Sequence, residues 1–96
     1  MAGFRVVLTP GHTWGHTSLL RDEDGLLFTG DAFGVLLHRI RVGVYKAPRA
    51  DPPLAKRSAE RLLAEKFGTV VTSQGKSLYT DTQRQLREAV ARCDYA

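Results

Sequence analysis

Residues 9–18 read T-P-G-H-T-W-G-H-T-S and residues 26–31 read L-L-F-T-G-D. Two histidines and one carboxylate therefore stand at the ends of short apolar runs, where a metal site would draw its ligands. Imidazole nitrogen and carboxylate oxygen are the usual non-sulfur donors to zinc-like ions, which take about four of them at roughly 2.0 to 2.2 Å. The two stretches point to metal chemistry, and they leave donors to be found elsewhere.

The flanking residues give the frame. Phe4 to Leu8 (F-R-V-V-L) is a β-branched run stopped by Thr9-Pro10-Gly11, where proline and glycine end a strand and open a loop. Thr17 to Leu20 and Leu26 to Thr29 flank a polar stretch, Arg21 to Gly25, that ends in an Asp-Gly pair, so a β-hairpin is expected. Gly34 to Val44 reads as a strand or an extended loop, because only its later part alternates. Asp51 is placed to cap a helix opened by Pro52 and Pro53, whose missing amide protons cost little there. Leu54, Ala55, Ala59, Leu62 and Leu63 fall on one face of that helix, with Lys56, Arg57, Glu60 and Arg61 on the other and Gly68 as the expected C-cap. Thr69 to Thr72 reads as a short strand and Ser73 to Lys76 as its exit loop. A second helix is expected from about Thr80 or Asp81, burying Leu86, Ala89, Val90 and Cys93.

Composition bounds the reading. A chain of 96 residues, 43% hydrophobic and 25% charged, suits one small domain with a thin core. The excess of Lys and Arg gives a net charge of +4, read as charge scattered over solvated helix faces; nucleic acid is not the expected partner, since aromatic and basic residues are not interleaved. The single cysteine, Cys93, excludes an intramolecular disulfide and a cysteine zinc cluster. No leader-like N-terminus or long apolar run is seen, so a soluble cytoplasmic protein without membrane contact is expected. His38 has no motif around it and reads as a surface or interface residue. Gly75-Lys76-Ser77 follows a strand, yet Val70 stands where a phosphate-binding loop needs glycine. No G-x-S-x-G elbow occurs.

The pair T-P-G-H-T-x-G-H and F-T-G-D resembles the metallo-β-lactamase fold superfamily, the αββα metallohydrolases that include glyoxalase II-like thioesterases and lactonases. The resemblance implies that His12 ligates one metal, that Asp31 bridges two metals, and that His16 is a supporting residue. It also implies that Gly11, Gly15 and Gly30 allow tight backbone paths beside the ions. The likeness runs from about Phe4 to Gly75 and covers the second half of the family fold. The family's H-x-H-x-D-H segment, which supplies two ligands to each metal, does not occur in the 96 residues. Gln74 stands in the position of the last metal-ligating histidine, and a neutral amide is a poor substitute for imidazole.

The expected fold is therefore α/β (α+β): one partial domain, residues 1–96, forming the C-terminal half of an αββα sandwich. It would have one mixed sheet layer with two helices, and an apolar sheet face left uncovered. The expected function is that of a relative of zinc-dependent, ester- or thioester-class hydrolases, dinuclear and acting on small molecules in complete members, and inactive as this chain alone. The alternative is a non-catalytic interaction module that forms a homodimer or complements a separate N-terminal half, or else a gene remnant.

Overall fold

The computed structural model describes residues 3–36, 39–43, 51–73 and 75–93. The elements follow in the order β1 (Phe4–Leu8), β2 (Thr17–Arg21), β3 (Leu26–Gly30), β4 (Phe33–Leu36), β5 (Arg39–Val42), α1 (Pro52–Leu62), β6 (Thr69–Thr72) and α2 (Thr82–Arg92). Strands β1, β2, β3 and β6 form one sheet in that order, antiparallel until β6 joins β3 in parallel. The expected hairpin is β2 and β3, closed where the Gly25 amide donates to the Arg21 carbonyl at 2.9 Å.

The ambiguous stretch after Phe33 contains two strands. β4 and β5 pair antiparallel as a separate two-stranded sheet, with Val35 opposite Ile40. Phe33, Ile40 and Val42 enter the core while Arg39 and Arg41 face solvent, so the alternation seen in the sequence belongs to β5 alone.

Helix α1 starts as expected, with the Leu54 amide donating to Asp51 Oδ1 at 3.1 Å and prolines at the first two positions. Its end differs from expectation. The last turn tightens at Leu63, whose amide donates to Ala59 and Glu60 carbonyls, and Gly68 is no cap. Phe67 is drawn into the core and Gly68 donates instead to the Gly25 carbonyl at 2.9 Å, so tertiary docking stops the helix before the glycine is reached. Helix α2 begins after Asp81 and buries Leu86, Ala89 and Val90, with half-buried Cys93 packed against the same core.

Alternation along the four-stranded sheet separates two faces. Val7, Leu20, Leu27 and Val70 point inward and share one core with Ala55, Ala59 and Leu62 of α1 and Leu86 of α2. The opposite face carries Phe4, Val6, Leu8, Leu19, Leu26, Phe28 and Val71, and none of these is buried. An apolar, uncovered sheet face was expected, and among the described residues no element covers this one. Among the described residues no helix is long and apolar enough to cross a membrane. His38 and Gln74 lie outside the described residues.

Candidate metal centre

The loop from Thr9 to His16 and the turn after β3 meet at the C-terminal ends of β1 and β3. The Thr9 amide donates to the His16 carbonyl at 3.0 Å, which closes the loop, and the Gly11 amide donates to the Thr13 carbonyl at 3.0 Å. These bonds carry His12 to the end of β3, where Nε2 stands 3.4 Å from Asp31 Oδ2. Two donors on one tetrahedral ion at about 2.1 Å lie about 3.4 Å apart, so the pair has the spacing of two corners of such a site. The other oxygen, Asp31 Oδ1, accepts a hydrogen bond from the hydroxyl of Ser73, at the exit of β6.

His16 acts from beneath. Its Nε2 accepts the Asp31 amide at 2.8 Å, and because an amide only donates, that nitrogen carries no proton. The proton sits on Nδ1, which lies 3.1 Å from the Thr9 carbonyl and 3.0 Å from Thr9 Oγ1. Thr9 Oγ1 lies 2.9 Å from Ser18 Oγ, which donates to the Thr29 carbonyl at 3.1 Å. With Thr9, Ser18 and Thr29 all buried, each hydroxyl has one consistent direction, and the chain fixes both the tautomer and the ring. The expected supporting residue is thus brought to the backbone of Asp31, and Thr9, Ser18 and Ser73 were not singled out from the sequence.

Two of the three glycines answer to the packing. Gly30 has φ +56°, and a Cβ there would stand 2.7 Å from His16 Nε2. A Cβ on Gly11 would meet Ala55 of α1 at 2.4 Å. At Gly15 a Cβ meets nothing within 4 Å among the described residues, and its φ is not in the left-handed region. Its place in a tight path beside the site is therefore not required by contact.

The donor set fits part of a metal site and not a whole one. Among the described residues no group of three or more His, Cys, Asp or Glu side chains could hold a metal ion. His12 Nδ1 is buried without a hydrogen-bond partner among those residues, whereas a ligating imidazole ordinarily donates its second N–H to an oriented acceptor.

No protein-family model and no curated protein matches the chain. Solved structures do. A protein crystallised in a di-iron-bound form, TTHA1623, is 31% identical over 97% of this chain and 42% of its own, with a TM-score of 0.70. An archaeal metallo-β-lactamase superfamily protein, ST1585 from Sulfolobus tokodaii, gives a TM-score of 0.74 at 24% identity, over 93% of this chain and 32% of its own. The metallo-β-lactamase family protein TTHA1429 from Thermus thermophilus gives 0.64 at 25% identity, over 92% and 29%. The chain therefore carries part of the metallo-β-lactamase superfamily fold, and it spans less than half the length of these relatives.

Proposed function

We propose that this chain supplies two corners, His12 and Asp31, of a dinuclear metal site in a hydrolase of the ester or thioester class, and that it does not hydrolyse substrate by itself. The convergence of His12 Nε2 and Asp31 Oδ2 at 3.4 Å carries the reading. The di-iron form of one similar structure supports a dinuclear centre, and zinc is the ion this donor chemistry favours. When bound, such ions supply a hydroxide near neutrality and polarise a carbonyl. Among the described residues no third donor joins them, so the remaining donors are supplied from elsewhere.

The chain's only tryptophan, Trp14, lies two residues from His12 and is exposed, which makes it a reporter for the test. Cobalt(II) should quench Trp14 fluorescence weakly in the parent chain and not in His12→Ala or Asp31→Asn. Zinc should be lost on dialysis, and no thioester should be cleaved. Retention of one or two zinc ions per chain with turnover would overturn the claim of inactivity, and quenching that survives both substitutions would overturn the assignment of donors.

The uncovered face of Phe4, Val6, Leu8, Leu19 and Phe28 favours a second, compatible role as a module that seats another sheet, from a complementing N-terminal half or a second copy.

A further inference from the structure

The seam between β5 and α2 carries a different chemistry. Between β5 and the C-terminal end of α2 lies a cavity of about 180 Å³, lined by Arg39, Arg41 and Arg92 over a floor that includes Ile40, Ala89 and Cys93. Among the described residues no carboxylate lines it. A second cavity of about 220 Å³ shares Arg39 and Arg92 and adds Gln85 and Glu88.

Arg5 pairs with Asp22 and Glu65, Arg21 with Asp24, and Arg84 with Asp81 and Glu88. Among the described residues no carboxylate pairs with Arg39, Arg41 or Arg92. Arg57, Arg61 and Arg87 share with these three the lack of a carboxylate partner among the described residues, but only here do three such guanidinium groups line one cavity. Arg92 donates to the Ile40 carbonyl at 3.2 Å, which fixes its guanidinium at the seam while leaving other N–H groups for a ligand. A helix C-terminus ordinarily repels anions, but here Lys56 Nζ donates to the Cys93 carbonyl at 3.0 Å and offsets that negative end.

We propose that this groove binds the phosphate group of a small phosphomonoester. Planar guanidinium forks match tetrahedral oxyanions, and three cations suit a dianion better than a carboxylate. Gln85 and Glu88, in the adjoining cavity, suit hydroxyl or amine groups on the remainder of the ligand. Its lining includes neither His12 nor Asp31, so the proposal does not depend on the metal reading.

The full chain is titrated near neutrality with inorganic phosphate, and with sodium chloride at matched ionic strength, while arginine Nε–H signals are followed by proton–nitrogen NMR. Phosphate should shift Arg39, Arg41 and Arg92 saturably and chloride should not. Arg41→Gln removes a side chain that makes no bond among the described residues, and it should weaken phosphate binding about tenfold, the scale of one charge-assisted hydrogen bond. Equal, unsaturating shifts with both salts would overturn the site, as would an Arg41→Gln chain that binds phosphate like the parent. A single-stranded oligonucleotide that binds tighter than phosphate and also shifts Arg57 and Arg61 would overturn the small-molecule assignment in favour of nucleic acid.

Discussion

At Gly30 one missing side chain decides the geometry of the candidate centre. The residue is left-handed, and the space a methyl would take belongs to His16 Nε2, the atom that accepts the Asp31 amide. Gly30→Ala should therefore lower stability by about 1 to 3 kcal/mol in urea denaturation, adding left-handed strain to a broken buried hydrogen bond. His16→Ala should cost a similar ~1 to 3 kcal/mol, since it leaves the Asp31 amide without its acceptor and removes the ring's bond to Thr9. His16→Gln, whose amide oxygen can also accept the Asp31 N–H, should recover part of the loss; no recovery would mean that the ring's packing matters more than its acceptor. Much of this was legible beforehand. Two histidines and an aspartate at strand ends marked the side chains that meet here, and the resemblance gave His16 a supporting place. The Thr9–Ser18–Thr29 chain was not legible, because hydroxyl partners are chosen by strand register across the sheet and not by neighbours along the sequence. Ser73 escaped for the same reason, since β6 reaches Asp31 only through a parallel crossover.

Elements were legible where local chemistry rules and obscure where tertiary contact does. The start of α1 could be read because Asp51 and two prolines are a self-contained signal, and Asp51→Ala should accordingly lower the thermal unfolding midpoint by the equivalent of about 1 kcal/mol. Its end could not, because Phe67 leaves the helical path for the core. The β4–β5 hairpin was hidden for a related reason: Phe33 and Val35 pack by position in the fold, without the alternation that β5 shows. The β2–β3 hairpin also sets the pH response. Hydrogen bonds from Arg5 hold the Asp22 carboxyl below its ordinary range, and those from Arg21 do the same for Asp24. A carboxyl depressed in the folded state binds protons more readily when unfolded, so its contribution is present above the ordinary carboxylate pKa and fades as pH falls through the depressed folded value. The unfolding midpoint should fall between about pH 5 and pH 3. Because both groups are exposed, added salt should shrink that dependence, and an Asp22→Asn, Asp24→Asn chain should show a shallower fall. An unchanged slope in that double variant would place the acid sensitivity elsewhere.

The molecule as a whole is two-faced: helices cover one side of the four-stranded sheet, and nothing among the described residues covers the other. A small folded unit with so thin a core ordinarily keeps apolar area inside, so a strip running from Phe4, Val6 and Leu8 across Leu19 to Phe28 and Val71 carries a consequence for behaviour in solution. Burying roughly 400 Å² of apolar surface is worth about 10 kcal/mol at ~25 cal/mol/Å², while association itself costs about 4 to 15 kcal/mol, so the two terms are of one size. The balance predicts weak, concentration-dependent self-association in preference to a fixed dimer, opposed slightly by the +4 net charge. Val6 and Leu8, each 59% exposed on the edge strand β1, are where the balance is easiest to tip. A lysine at an edge discourages pairing and a charge on the strip must be desolvated for the strip to close, so Val6→Lys should shift the chain to monomer in sedimentation velocity. Its urea midpoint should stay within about 0.5 kcal/mol of the parent, because Val6 is mostly solvated already. If Val6→Lys associated as strongly as the parent, the contact would have to lie on another surface, and the uncovered sheet would lose its role as the seat of a partner.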